Sequence, residues 1–214
     1  IWRGQTIFGC DSVETLVLSI DYNCDFNCGD IVYDFDHNDY QTHAYIGKCW
    51  MIENLRSIHY ADGQPIPTAN IYYGTNENND TLENLSTYGR LYDWAAASRN
   101  ETGAVIQGAC PDGWHLPTQQ DLNALADLYS QYSLRSNDYW IRNAGDNSSS
   151  FDLRPSGYYN AQTSRYENIL GEAYLHTSSS ISTYPIHLKA HCGCWEWIFE
   201  STTSNDYYSI RCVK

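Results

Sequence analysis

The sequence predicts an α+β fold in which two helices pack on an antiparallel sheet and long irregular loops join the elements. Three observations lead to this class. Two segments in the first two thirds of the chain carry helix signals, short strand-like stretches lie near both ends, and two long stretches are dominated by polar residues and Tyr. Strands and helices that are segregated along a chain in this way are typical of α+β domains.

Short segments with alternating apolar and polar residues are the candidate strands. Residues 13–20 alternate well enough to form one strand, and residues 31–33 and 40–46 flank a turn-rich stretch. In the C-terminal part we expect four strands of one antiparallel sheet: 172–178, 184–191, 194–199 and 207–213.

Two segments carry helix signals. Residues 91–97 contain good helix formers and predict a short helix. A second helix is predicted over residues 119–132, because Thr118 can cap it and Asp121, three residues later, can complete a capping box. Its apolar face would consist of Leu122, Leu125, Leu128, Tyr129 and Tyr132.

The remaining long stretches, 57–87 and 136–165, are rich in Asn, Ser, Thr, Gly, Pro and Tyr and predict irregular surface loops. Connections of this length in a compact domain point to function or to disorder. A chain of 214 residues fits one ordinary domain plus an extension. We place the boundary after residue 29, so that 1–29 is the tail of an upstream module or a linker strand and 30–214 is the domain.

The net charge of −14 argues against nucleic acid or an anionic membrane as the main partner. The eight cysteines are scattered and form no pair of CxxC motifs, which disfavours a zinc ribbon. We interpret them as mostly disulfides in an oxidising compartment, with buried free thiols as the alternative. They are Cys10, Cys24, Cys28, Cys49, Cys110, Cys192, Cys194 and Cys212.

Two clusters deserve weighing as metal sites. Asp34, Asp36 and Asn38 have the spacing of a calcium loop, but the glycine and the bidentate glutamate of such a loop are missing, so a turn is favoured. Residues 187–194 contain two His and two Cys residues, and an extended chain would place His187 and His191 on one face. Disulfide formation or burial would use the same cysteines, so neither a metal nor a cofactor is expected.

Several motifs occur together in a characteristic order. They are YIGKCWMIENLR at 45–56, HYADGQPIP at 59–67, YGRLYDWAA at 88–96, GACPDGWHLPT at 108–118 and YSIRCV at 208–213. In order and spacing they resemble the Fibrobacter succinogenes major paralogous domain family, over about residues 30–214. That family is similar to the C-type lectin-like superfamily and occurs on exported proteins of Bacteroidetes and related bacteria.

The resemblance implies a C-type lectin-like fold in which both ends of the domain pair in one sheet. Cys110 and Cys212 lie in matching segments, and we expect them to form a disulfide. Cys49 is expected to pair with Cys24 or Cys28, which would fix the N-terminal segment to the domain. The sugar-binding triplets of true C-type lectins are absent, so calcium-dependent sugar binding is disfavoured.

The function that follows is recognition: a secreted or cell-surface domain, on an outer membrane or pilus, that binds a protein or glycan on another cell and is not an enzyme. A retroelement-diversified variable protein of the same superfamily is one form this could take. Aromatic rings among small polar residues suit such contacts. Between Tyr174 and Tyr208 the candidates are Tyr174, His176, Tyr184, His187, Trp195, Trp197, Tyr207 and Tyr208. We select Trp195, Tyr207 and Tyr208 as the ligand-binding residues.

Two alternatives remain open. A thiol or copper enzyme of the formylglycine-generating kind would need a reactive cysteine pair near the C-terminus, and Cys192 and Cys194 lie there, separated by one residue. A structural spacer of a surface fibre would need no contact surface, and a face without an aromatic patch would favour it.

Overall fold

The fold is known from a computed structural model, which describes residues 2–5, 11–14, 26–67, 82–181, 184–191, 197–201 and 205–214. Within these ranges no helix is both long and apolar enough to cross a bilayer. At the N-terminus, strands β1 (Trp2–Gln5) and β2 (Asp11–Glu14) pair in an antiparallel hairpin. Most of the strand predicted at 13–20 lies outside the described residues.

The elements after residue 26 are short. The strands are β3 (Val32–Tyr33), β4 (Asp39–Tyr40), β5 (Thr42–Tyr45), β6 (Lys48–Met51), β7 (Leu91–Tyr92), β8 (Tyr158–Asn160), β9 (Arg165–Glu167), β10 (Glu172–Ile181), β11 (Tyr184–His191), β12 (Trp197–Ser201) and β13 (Tyr208–Ser209). The helices are α1 (Leu82–Tyr88), α2 (Trp94–Ser98), α3 (Gln119–Leu128) and α4 (Gln131–Leu134). The α+β class is confirmed.

A five-stranded sheet with the order β12-β11-β10-β13-β7 forms the centre of the domain. All neighbours are antiparallel except β10 and β13, which run parallel through the pair Leu175 and Ser209. The prediction of a purely antiparallel sheet is therefore wrong at this point. After the edge strand β12 the chain re-enters the sheet between β10 and the other edge strand, β7, and β13 runs in the direction of β10.

The C-terminal residues close the domain against β6. The amide of Cys49 donates to the carbonyl of Lys214 at 2.9 Å, and the amide of Lys214 donates back to Cys49 at 2.8 Å. Met51 N–H donates to the carbonyl of Cys212 at 3.1 Å. Residues 49–51 and 212–214 therefore pair, although through an isolated bridge, because β6 forms a separate two-stranded sheet with β5.

Both predicted disulfides form. Cys110 and Cys212 have Cα atoms 5.9 Å apart, and the bond ties the middle of the chain to the segment that follows β13. Cys49 pairs with Cys28 rather than Cys24, at a Cα distance of 5.5 Å. The bond fixes Cys28 to β6. Two residues earlier in the chain, Phe26 packs its ring edge-on against Trp114. The domain boundary after residue 29 stays a prediction.

The helices differ in part from expectation. The short helix begins at Trp94, because Asp93 caps it by accepting from the amide of Ala96 at 2.7 Å, while Leu91–Tyr92 form β7 instead. Helix α3 has the predicted capping box of Thr118 and Asp121, and Leu122 and Leu125 are buried. It ends earlier than predicted, at Leu128.

Leu128 was expected in the core, and that is wrong, since its side chain is 62% exposed. The helix stops there because Tyr129 adopts an extended backbone, with φ −117° and ψ 138°. A separate turn of helix, α4, follows Ser130, and Tyr132 lies exposed on it.

The predicted loops are partly ordered elements. The stretch 57–87 overlaps α1, which ends at Tyr88, whereas 68–81 lie outside the described residues. The stretch 136–157 is irregular and held by a buried cation: Arg211 donates to the carbonyls of Phe151 and Asp152 and to the side-chain oxygen of Asn54. Burial lowers the pKa of Arg211 to about 10, which leaves it charged at neutral pH.

Candidate functional site

One face of the sheet carries a stack of aromatic and imidazole rings, which we call the aromatic column. Alternation along β10 places Tyr174 and His176 on this face, and His176 lies opposite His187 of β11. The rings of His187 and Tyr208 stack with centroids 4.3 Å apart, and Tyr208 stacks on Tyr174 at 5.3 Å. Tyr158 of β8 extends the column, 4.9 Å from Tyr174.

The column is buried, which corrects one of the predicted contact residues. Only 4% of Tyr208 is exposed, so the expectation that it presents its ring to a ligand is wrong. The strand alternation does place it on the same face as Tyr174 and His176. The β8–β9 hairpin and Trp94 of α2 lie over that face, with Trp94 5.7 Å from the ring of His176.

The two histidines of the column are held neutral. Burial lowers the pKa of His176 to about 4, even though its Nε2 donates to the carbonyl of Tyr92 at 2.7 Å. Burial, with the nearby positive charge of Lys189 and the other imidazole, lowers the pKa of His187 to about 3. Neutral, stacked rings of this kind fill a core and do not bind a proton near pH 7.

The other two predicted contact residues are Tyr207 and Trp195. Tyr207 is half-buried, with its ring edge-on to Tyr159 at 5.4 Å, and the backbones of these residues pair in both directions. It can offer part of its ring to solvent. Trp195 lies outside the described residues, as do Cys192 and Cys194.

On the opposite face of the sheet the structure forms a groove that the sequence did not reveal. It encloses about 660 Å³, within the range of small-ligand sites. Its described lining comes from α3, α4, the two residues between them and the first residue of β12: Asn123, Ala126, Tyr129, Ser130, Gln131, Tyr132 and Trp197. We call this the α3–β12 groove. Tyr132 is 45% exposed here, whereas Tyr129 and Trp197 are half-buried.

The start of α3 is fixed by its neighbours. Thr118 accepts from the amide of Asp121 at 3.1 Å, and Lys48 of β6 pairs with the Asp121 carboxylate at 2.6 Å. Burial alone would raise the pKa of Asp121, but Lys48 and Thr118 outweigh it and lower the pKa. On the inner side, Leu122 and Leu125 belong to the core beneath the sheet. The helix that supplies Asn123 to the groove is therefore anchored at its first turn.

A buried arginine connects α4 to the sheet. Arg135 donates to the side-chain oxygen of Gln131 at 3.2 Å and to the carbonyl of His191 at 2.8 Å. Its guanidinium also lies over the ring of Trp140, 4.6 Å from the centroid. Gln131 and the end of β11 are thus held in one network, which makes the groove a preformed feature.

Trp197 forms the wall on the β12 side. Strand register places it opposite Ala190, on the apolar face of the sheet, and its ring lies 6.3 Å from that of Phe151. Its Nε1–H is buried, and within the described part of the chain no acceptor reaches it. A buried donor without an acceptor costs stability unless something else satisfies it.

The predicted metal-ligand clusters are structural where they are described. Asp34 accepts from the amide of Asn38 at 2.9 Å and from the hydroxyl of Tyr40 at 2.7 Å, which confirms the turn. Asp36 accepts from His59 Nδ1 at 2.6 Å and from the hydroxyl of Ser57 at 2.9 Å. Within the described ranges, three or more potential metal ligands do not gather at any point.

These features define a disulfide-tied α+β domain with a preformed, uncharged groove on one side of its sheet. Residues 44–214 match the family model of the Fibrobacter succinogenes major domain. The chain therefore belongs to that family. A search of curated proteins and one of solved structures each found no match.

Proposed function

We propose that this domain is a non-catalytic binding module of an exported bacterial protein and that it holds its ligand in the α3–β12 groove. The observation that carries the proposal is a pair of aromatic rings lining one groove on a rigid frame, the exposed Tyr132 on α4 and the half-buried Trp197 on β12. Aromatic rings supply large contact area at a small cost in side-chain entropy. A spacer of a surface fibre would have no use for such a patch, since exposed rings favour aggregation.

The export part of the proposal is supported by the disulfides. Cys28–Cys49 and Cys110–Cys212 account for every cysteine in the described part of the chain. Such bonds persist in oxidising compartments such as the periplasm and the cell surface. The ligand would then be a protein or glycan on another cell or surface, and a C-type lectin-like fold is the architecture we propose for the domain.

The pairing of the domain's ends supports that architecture, because residues 49–51 run beside 212–214. The thiol-enzyme alternative has less support. It would need Cys192 and Cys194, which lie outside the described residues, and the four described cysteines are bonded to one another.

Capture of intact cells tests the function. The fluorescently labelled 214-residue chain is incubated with bacterial and animal cells, and bound fluorescence is compared between the native protein and Tyr132→Ala. We expect the substitution to reduce capture at least tenfold with little change in melting temperature, because Tyr132 is exposed. The matched control is Tyr33→Ala, which removes another exposed ring, 58% accessible, on β3.

Two results would end the proposal. Equal capture by native protein and Tyr132→Ala would remove the groove as the contact surface. Turnover of a thiol substrate that is lost on replacing Cys192 and Cys194 with Ser would replace a binding module with an enzyme.

A further inference from the structure

The chemistry of the α3–β12 groove names a class of ligand. We infer that it takes a neutral saccharide, bound without calcium; this rests on the proposed function and specifies its ligand. The described lining consists of three aromatic rings, two amides, one hydroxyl and one methyl group: Tyr129, Tyr132, Trp197, Asn123, Gln131, Ser130 and Ala126. None of these groups carries a full charge at neutral pH, so the described lining offers no counter-ion to an anion or a cation.

A sugar ring has two kinds of surface, and the groove offers a partner for each. The C–H groups on the flat face of a pyranose are weakly positive and pack against the negative face of an aromatic ring. Tyr132 and Trp197 supply such faces from the helix side and the strand side. The vicinal hydroxyls at the ring edge each donate and accept, which matches a carboxamide that also does both. Asn123 and Gln131 are the two amides.

The polar groups of the groove are already oriented. Gln131 is 7% exposed, and its amide oxygen accepts from Arg135, so the N–H donors of the amide remain for a ligand. Tyr129 is fixed by an edge-on contact with Tyr45, with ring centroids 5.7 Å apart. Groups that are fixed before binding lose little entropy when the ligand arrives.

Trp197 is half-buried and adds ring surface to the groove. Its Nε1–H is buried, and no acceptor reaches it in the part of the chain that the structure describes. A sugar oxygen reaches only atoms that water can also reach, so a ligand in the groove would contact the ring of Trp197 and not this donor.

The charge around the groove selects against acidic sugars. Asp127 lies one helical turn after Asn123 and is exposed, whereas the Arg135 guanidinium next to the groove is buried and hydrogen-bonded to Gln131, so the solvent-facing charge on this side of α3 is negative. The chain as a whole has a net charge of −14. Sialylated, sulfated or uronic-acid-containing glycans would be repelled, whereas neutral hexose and N-acetylhexosamine chains would not.

The test is a glycan microarray probed with the labelled 214-residue chain in EDTA. The array carries neutral hexose and N-acetylhexosamine oligosaccharides beside their sialylated and sulfated counterparts. We expect binding to neutral glycans that changes less than twofold between low and high salt. Tyr132→Ala should weaken it at least tenfold, Tyr132→Phe should keep most of it, and Tyr33→Ala should leave it unchanged.

The outcomes separate the two proposals. Binding only to acidic glycans, or neutral-glycan binding that Tyr132→Ala leaves intact, overturns the saccharide inference. If the array is blank while cell capture remains sensitive to Tyr132→Ala, the groove binds a protein: the saccharide inference fails and the binding module stands. A blank array together with cell capture that Tyr132→Ala does not change overturns both.

Discussion

The aromatic column and the α3–β12 groove lie on opposite faces of the same sheet and are built from similar residues, yet they differ in how far their rings are exposed to solvent. The column stacks Tyr174, Tyr208 and His187 in the interior, where burial holds the imidazole neutral. The groove leaves Tyr132 exposed to solvent and Trp197 half-buried in its wall. Composition alone therefore does not identify a contact surface. What decides the role of a ring is whether another element covers the face that carries it.

The largest effect we expect is on the side of the column, from removing the disulfide that follows β13. Cys110→Ser with Cys212→Ser opens a loop with a sequence separation of 102 residues. In the chain-entropy model this costs about 4.7 kcal/mol as an upper figure, against about 3.3 kcal/mol for the shorter loop of the Cys28 and Cys49 pair. Chemical denaturation of both double variants measures the difference. A larger loss from the shorter loop would contradict it.

Removing the central ring of the column comes next. Tyr208→Ala should destabilise the fold by about 4 kcal/mol, because it empties a buried site between two rings. Tyr132→Ala in the groove should cost less than about 0.5 kcal/mol, as surface substitutions do. Urea denaturation followed by tryptophan fluorescence compares them. Equal losses would mean that the two faces do not differ as the structure indicates.

Acid should weaken the column in a definite window. The folded imidazoles have pKa values near 4 and near 3, whereas an unfolded histidine titrates near 6.5. Below that value the unfolded chain binds more protons, so stability falls as the pH drops from about 6.5 towards 4. Each histidine contributes a slope of about 1.4 kcal/mol per pH unit in that window.

The variant His187→Gln should remove one such slope, and His43→Gln, at an exposed position of β5, is the matched control. Thermal unfolding measured from pH 7 to pH 4 gives the slopes. Ligand binding at the groove should stay constant until the protein unfolds, since its described lining does not titrate in this range. A slope that survives in His187→Gln would mean that other groups cause the acid sensitivity.

The smallest effect concerns the helix that frames the groove. Thr118→Ala removes the side chain that accepts from the amide of Asp121, which should cost about 1 kcal/mol. Thr163→Ala, at an exposed position near β9, should change stability by less than about 0.5 kcal/mol. Differential scanning calorimetry is sufficient to separate them. Indistinguishable melting temperatures for the two variants would argue against the capping box.

Local signals predicted local structure well. The capping box of Thr118 and Asp121, the turn at Asp34 and the inward side of α3 at Leu122 and Leu125 all follow from patterns within a few residues. The error at Leu128 arose because the apolar pattern continues past the end of the helix. The helix ends at Tyr129, which is neither Gly nor Pro, so the sequence carries no local signal for its end.

The sites depend on pairings that no local pattern carries. The sequence marks Tyr174, His176 and Tyr208 as candidates, but neither the strand pairing that puts them on one face nor the β8–β9 hairpin that covers them could be predicted from it. The groove needs α4 and β12, whose first residues, Gln131 and Trp197, are far apart along the chain. The sequence placed Tyr132 on the apolar face of the predicted helix and Trp197 among the candidate contact residues, but it did not bring the two together.

The position of β13 between β10 and the edge strand β7 has a consequence for how the domain folds. Residues 208–209 join β10 to β7, and Cys212 three residues later pairs with Cys110. Until residues 208–212 leave the ribosome, the strand position beside β10 is unfilled and β7 has no neighbour in the sheet. The five-stranded sheet can therefore close only after residue 209 has been synthesised, and until then the domain can still pass through a narrow channel in an open form.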